Sequence, residues 1–250
     1  MADEVLVEKH DRVMLITLNR PDAMNAINSA LGQGLIDAVA QLDSDDGLSA
    51  AVLTGTGRGF CSGMDLKAFL KGGMPQGFME FIADGAKKPL IAAIEGFALA
   101  GGLELALTCD LLVAAKGVKL GIPEAGVGLF AAAGALLRLP RRVPYGVAME
   151  MALTADPITA EKAHEYGLVS RLAEKGEAVN VAMELAARIA RNAPLSVAAS
   201  KQLLRETAGR TEAEFWDYQK PLLSEVFTSD DAKEGPLAFA EKRAPNWSGS

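Results

Sequence analysis

Gly96-Phe97-Ala98-Leu99-Ala100-Gly101-Gly102-Leu103-Glu104-Leu105-Ala106 decides how this chain is read. The apolar run Leu90 to Glu95 before it has the character of a strand buried on both faces, and Gly102 to Thr108 reads as a short helix. Glycine at a strand-to-helix turn permits unusual backbone angles and the close approach of a ligand. The unpaired N–H groups and the positive end of the helix dipole then face whatever occupies the turn. Such a place suits an oxygen that becomes negative during reaction. A tight turn with glycines chosen only for packing is the plainer alternative. Glu104 sits among Leu103, Leu105, Ala106 and Leu107, where a carboxylate is costly unless it is paired or functional. Burial there raises its pKa toward the range useful for proton transfer, unless backbone donors simply satisfy it.

Working outward, a second acid, Glu124, follows Pro123 in Leu120-Gly121-Ile122-Pro123-Glu124, and it reads equally as a surface residue at a helix start. Upstream, Gly57 to Leu66 (Gly-Arg-Gly-Phe-Cys-Ser-Gly-Met-Asp-Leu) follows the buried-strand run Ala50 to Thr54 and opens another helical segment. Its N–H groups could supply a second donor for an oxyanion. Three other readings of this loop fail. Gly55-Thr56-Gly57-Arg58-Gly59 has its third glycine one residue early for a dinucleotide fingerprint, and no Gly-Lys-Ser/Thr phosphate loop follows. Ser62 has Phe60 two residues before it, so it is no nucleophile elbow. Cys61 lacks a nearby histidine to activate it and reads as a buried structural thiol.

The remaining elements alternate. Val5 to Glu8 and Val13 to Leu18 read as strands around a turn at His10-Asp11. Asn28 caps a helix with Leu31, Leu35, Val39 and Leu42 on one face, and Leu111 to Ala115 is a further buried strand. Strand and helix in alternation predict an α/β fold with sheets covered by helices. After about residue 144, helices are expected over Tyr145–Leu153, Ala160–Tyr166, Ala178–Arg191, Leu195–Thr207 and Thr211–Phe227, then a short helix and the tail to Trp247. Asp110 reads as structural, His164 as solvated on a polar helix face, and Met149 and Met151 as core or interface filler.

Composition narrows the function. With 250 residues, half of them hydrophobic, the chain can bury a large core. A net charge of -7 argues against a general nucleic-acid binder, although the run Arg138, Arg141, Arg142 leaves room for a local phosphate pocket. Two cysteines without a CxxC pair suggest reduced thiols and a cytoplasmic setting, and the acidic start (Asp3, Glu4) suits no targeting peptide. The stretch Pro89 to Ala115 is broken by charges and glycines, against a membrane span. Only two histidines occur, so neither a histidine metal site nor a histidine triad is expected.

At these residues the sequence resembles the enoyl-CoA hydratase/isomerase (crotonase) family. The likeness runs through Asn19-Arg20-Pro21 with Asn25-Ala26, Gly59 to Leu66, Ile91 to Asp110, Gly121 to Glu124, Ala148 to Val169 and Ser229 to Pro245. It implies a spiral of ββα units over residues 1–190 and a C-terminal helical trimerisation region over 191–250, in trimers or hexamers. It further implies acyl-CoA thioester substrates, with no cofactor beyond the substrate's own CoA and no metal. By the same resemblance the oxyanion-hole N–H groups are those of Met64 and Gly101, and the hydratase acids are Glu104 and Glu124. Met24, Ala26, Ser62, Asp65, Leu66, Gly102 and Pro123 line the substrate. Lys67, with Phe239 and Lys242 of a neighbouring subunit, are expected near the adenosine phosphates. The activity implied is reversible addition of water to trans-2-enoyl-CoA, a hydro-lyase reaction. An isomerase or specialised dehydratase is the near alternative, and an RNA-binding or non-catalytic member the remote one. Two departures stand out: Met64 where alanine is common, and Gly126 to Leu139 in place of a Pro-Gly-rich, Gln-Arg-containing segment. That stretch is expected to contribute to the acyl pocket, with Phe130 either shaping it or belonging to the core.

Overall fold

A computed structural model describes residues 3–68 and 73–250. Its strands are β1 (Val5–His10), β2 (Val13–Leu18), β3 (Ala50–Gly55), β4 (Leu90–Ile94), β5 (Phe97–Leu99), β6 (Leu111–Ala115), β7 (Lys119–Gly121), β8 (Ile158–Thr159) and β9 (Arg171–Ala173). Its helices are α1 (Ser29–Ser44), α2 (Phe78–Asp84), α3 (Gly101–Thr108), α4 (Ala135–Arg142) and α5 (Tyr145–Thr154), then α6 (Ala160–Glu165), α7 (Ala178–Ala190), α8 (Pro194–Glu206), α9 (Glu212–Thr228) and α10 (Asp230–Glu241). The helical segment expected after Asp65 begins at Leu66, and its continuation lies outside the described residues.

The continuous apolar runs fall where their composition demands. A six-stranded sheet runs β1-β2-β3-β4-β6-β9, parallel except for the β1–β2 hairpin, so β3 and β4 sit centrally with both faces covered. Asn28 Oδ1 accepts a hydrogen bond from Leu31 N at 2.8 Å, and α1 buries Leu31, Leu35, Val39 and Leu42 as its spacing predicts. On β3, β4 and β6 lies α7, whose buried residues Ala178, Ala182 and Ala186 let it approach closely. Its first turn is capped from afar: Glu95 Oε1 accepts from Gly176 N and Ala178 N.

Several details differ from the sequence reading. The β1 strand continues to His10, and the turn falls at Asp11, which adopts φ 51°. Two strands, β8 and β9, interrupt the region read as purely helical, and β9 completes the main sheet. Strands of two or three residues are too short for any periodicity to betray them. His164 is exposed but not simply solvated, because its Nδ1 donates to Val169 O at 2.7 Å. Met151 is buried, whereas Met149 is exposed. Asp110 is structural: its Oδ2 accepts from Leu90 N and pairs with Lys201 at 2.7 Å, tying α8 to the sheet.

A smaller sheet, β5-β7-β8, stands beside the first. Its parallel pair aligns Leu99 with Gly121, and Ala100 N donates to Gly121 O at 2.9 Å. That register places the turn leading into α3 beside the turn carrying Glu124.

Candidate active site

Three loops meet at the start of α3, each held by buried polar groups. The first is the Met24–Ile27 turn, in which Met24 and Asn25 both take positive φ (53° and 55°). Asn25 is fully buried and makes that backbone tolerable. Its Oδ1 accepts from Arg20 N at 2.9 Å, and its Nδ2 donates to Thr56 O and Gly59 O at 2.8 and 3.0 Å. Beside it runs the Cys61–Asp65 loop, joined by Ser62 N to Met24 O, Ile27 N to Gly63 O and Asp65 N to Ile27 O. Arg20 spans both loops, donating to Ala26 O and pairing with Asp65 at 3.3 Å and with Glu4 at 3.3 Å.

The third loop is the entry to α3. Leu99 N donates to Cys61 O at 3.1 Å, which docks the second loop onto it. Here glycine is a steric necessity: a Cβ at Gly102 would lie 2.2 Å from Cys61 O. Ala100 adopts φ 52°, ψ −133°, a strained conformation of the kind that costs about 1–3 kcal/mol and persists where its surroundings over-determine it. Cys61 is buried, donates through Sγ to Asn25 O at 3.1 Å, and has its pKa pushed up to about 12 by burial. It is the structural thiol expected.

The consequence is a pair of adjacent amides. A Cβ at Gly101 would sit 3.4 Å from Met64 N, and one at Gly63 would sit 3.1 Å from Gly101 N. Among the described residues neither Met64 N nor Gly101 N finds a protein acceptor. Two free donors side by side, one at a helix start, are suited to an oxygen that becomes negative.

Glu104 lies one turn into α3 with 3 % exposure. Its Oε1 accepts from Ala133 N at 2.7 Å and Ala135 N at 3.1 Å. Burial raises its pKa and those two N–H groups partly offset this. The nearby charge of Glu124 adds to the rise, and Arg138 opposes it. Glu124, in the 3-10 turn Pro123–Val127, is half-buried, and burial raises its pKa too. Its Oε2 is buried with no hydrogen-bond partner among the described residues. Two acids whose burial disfavours ionisation, one of them also feeling the other's charge, are groups suited to exchanging protons with a bound molecule.

The other expected contacts divide. Met24, Ala26, Ser62 and Asp65 lie on the first two loops and Leu66 and Lys67 open the helix after the second, with Met24, Leu66 and Lys67 exposed, and Gly102 and Pro123 precede the two acids. Asp65 Oδ1 accepts from Lys67 N and Ala68 N, so it caps the helix that begins there. Phe130 is 71 % exposed and is therefore not core. Phe239 (86 % exposed) and Lys242 lie at the end of α10, which packs on α9, and their expected approach is one across a subunit boundary. Missed in the sequence were the N–H groups of Ala133 and Ala135, since Gly126 to Leu139 was read as acyl pocket. The run Ala131-Ala132-Ala133-Gly134-Ala135 carried the signal, because such small residues let backbone approach a buried carboxylate.

Among the described residues, no cluster of three or more His, Cys, Asp or Glu could hold a metal ion, and no helix is long and apolar enough to cross a membrane. Comparison with known proteins agrees with the geometry. Residues 8–250 match the model of the enoyl-CoA hydratase/isomerase family. The chain is 40 % identical to the enoyl-CoA hydratase EchA19 of Mycobacterium tuberculosis, over 98 % of this chain and 96 % of that one. It is 36 % identical to a carnitinyl-CoA dehydratase of Proteus mirabilis, over the whole of both. A solved structure of a probable enoyl-CoA hydratase/isomerase from Mycobacterium abscessus superposes with a TM-score of 0.96 at 55 % identity, covering all of both chains. With its paired amides, its two acids and this likeness over its full length, the chain belongs to the enoyl-CoA hydratase/isomerase family.

Proposed function

We propose that the protein is an enoyl-CoA hydratase, adding water reversibly across the double bond of a trans-2-enoyl-CoA to give the 3-hydroxyacyl-CoA. The observation that carries this reading is the pair of unclaimed amides, Met64 N–H and Gly101 N–H, at the start of the helix that carries buried Glu104, an acid that feels the charge of half-buried Glu124. The thioester carbonyl accepts from both amides. Glu104, ionised, removes a proton from water as its oxygen bonds to C3, and the electrons of the double bond move to the carbonyl oxygen. Glu124, protonated at the outset, returns a proton to C2. Raised pKa values suit both roles, because one group must hold a proton at neutral pH while the other must accept one. The amide pair stabilises charge only as it develops, and losing one donor of this kind typically costs about 3–4 kcal/mol of barrier. Met64 acts through its backbone alone, so its side chain leaves the chemistry intact.

In this reading Met24, Ala26, Ser62, Asp65, Leu66, Gly102 and Pro123 line the thioester, and Phe130, exposed six residues beyond Glu124, contacts the acyl chain. The reaction calls on no metal and no cofactor beyond the CoA of the substrate. Two buried cysteines suit a reducing, cytoplasmic setting. Self-association as a trimer or hexamer is part of the proposal: α8 and α9 bury no residue, yet Leu204, Trp216, Leu223 and Phe227 are exposed on them. Such an assembly would bring Phe239 and Lys242 of one subunit toward the Lys67 region of another. Dehydration of a 3-hydroxyacyl-CoA is the same reaction reversed, and likeness to a carnitinyl-CoA dehydratase keeps a substituted acyl group in view.

The test is loss of the enoyl absorbance over a panel of trans-2-enoyl-CoA chain lengths, with 3-enoyl-CoA as the isomerase control. The wild type should consume the 2-enoyl compounds, and Glu104→Gln should lose roughly 10²–10⁴-fold in kcat. Undiminished hydration by Glu104→Gln, or turnover of the 3-enoyl compound alone, would overturn the assignment.

A further inference from the structure

Glu104 is gripped from below by a turn that is itself pinned. The N–H groups on Glu104 Oε1 come from Ala133 and Ala135, which flank Gly134 at the start of α4. Gly134 adopts φ 101°, and a Cβ placed on it would lie 2.7 Å from Arg138 Nη1, so the guanidinium underlies the turn. Arg138 reaches back from α4 to two other helices. Its Nη2 donates to Ile82 O and, at 3.1 Å, to Ala83 O at the end of α2, and its Nη1 donates to Thr108 Oγ1 at 3.3 Å. Thr108 lies one turn beyond Glu104 on α3 and donates to the Glu104 carbonyl at 3.1 Å. One planar cation thus joins the helix carrying the acid, the turn holding one oxygen of that acid, and the helix beneath both. Only a fork with several fixed donors can do this.

We propose that Arg138 is the positioning residue of Glu104, locking the Ala133–Ala135 turn so that Oε1 is held and Oε2 is presented to water. The inference rests on the hydratase reading above. Arg138 also supplies positive charge that favours the ionised acid. Of the groups packed around Glu104, Glu124 opposes its ionisation and Arg138 favours it. The helix α2 turns the apolar Phe78, Phe81 and Ile82 inward while Glu80 and Asp84 remain exposed. Around Arg138 itself stand Arg142 of α4, Arg205 of α8 and the Cys109 thiol. Removing Arg138 therefore removes both a geometric clamp and a cation that favours the carboxylate.

The experiment compares wild type, Glu104→Gln, Arg138→Lys and Arg138→Met in kcat and KM across pH. In Arg138→Met, kcat should fall roughly 10–100-fold, as displacement of a reacting group by about 1 Å does, with KM little changed. The acid limb of its kcat/KM profile should move to higher pH. Arg138→Lys keeps the charge without the fork, so its acid limb should return toward wild type while kcat stays reduced. Should Arg138→Met fail to fold, Thr108→Val removes the Nη1 partner at nearly constant volume and should lower kcat without moving the acid limb. An unmoved acid limb in folded Arg138→Met, or wild-type kcat in folded Arg138→Met or, in its place, Thr108→Val, overturns the proposal. Wild type inactive on every enoyl-CoA would instead defeat the hydratase reading. An active wild type with inactive Glu104→Gln and indifferent Arg138 variants defeats only the positioning role.

Discussion

Gly102→Ala is the smallest change that tests whether the two loops bearing the amide donors form one rigid unit. The added methyl would lie 2.2 Å from Cys61 O, 2.7 Å from the Cys61 carbonyl carbon and 2.9 Å from Cys61 Cβ. Each of these atoms is backbone or bound to it, and contacts under 3.0 Å are essentially never seen, so the Cys61 segment must retreat by about 0.8 Å or more. Overpacking of this kind costs about 1–3 kcal/mol of stability. Stability is the lesser effect. Met64 N follows Cys61 by three residues, and Gly101 N precedes Gly102 directly, so the retreat opens the very gap across which both amides must reach one oxygen. A misplacement near 1 Å costs roughly 10²-fold in rate. Measured by enoyl-CoA consumption, kcat/KM of Gly102→Ala should therefore fall by about two orders of magnitude while circular dichroism remains native. A folded Gly102→Ala variant within about threefold of wild type would refute the idea that close apposition of these loops sets the donor geometry.

Two further predictions follow from the electrostatics. Burial raises the Glu104 pKa, so between its unfolded value and the higher folded value the native state holds more protons than the unfolded state. Stability must then fall as pH rises through that interval, and the penalty persists at neutral pH. Glu104→Gln, which keeps an acceptor for Ala133 N and Ala135 N, should be more stable than wild type at pH 7, and the advantage should shrink toward pH 4; a thermal-melt series shows it, and an advantage that grows on acidification contradicts it. Cys61 and Cys109 are buried with pKa values pushed up to about 12, so iodoacetamide at pH 8 should modify neither in the native protein and both after denaturation. Rapid native alkylation would show that the loop behind Met64 opens.

Much of the architecture was legible because burial on two faces leaves a continuous apolar signature, as in β3, β4 and β6, and because a helix on a core repeats every three to four residues, as in α1. Both glutamates and both amide loops were likewise visible, Glu104 because a charged residue in an apolar helix needs a reason, and the loops because glycines mark where backbone must come close. Periodicity had nothing to act on in β5, β7 and β8, and Pro140 and the surrounding glycines concealed α4.

Residue types and local spacing determined which groups could do chemistry: an acid with a raised pKa, a glycine turn with free N–H groups, an inert buried thiol. Which groups meet was decided only in three dimensions. The Leu99–Gly121 register brings Glu124 beside α3, Cys61 O docks on Leu99 N, and Ala133 and Ala135 reach Glu104 from 29 and 31 residues away. Hydrogen bonds and close packing act through space over a few ångströms, whereas a sequence records only distance along the chain, so the grip on Glu104 and the clamp of Arg138 emerge with the tertiary structure alone.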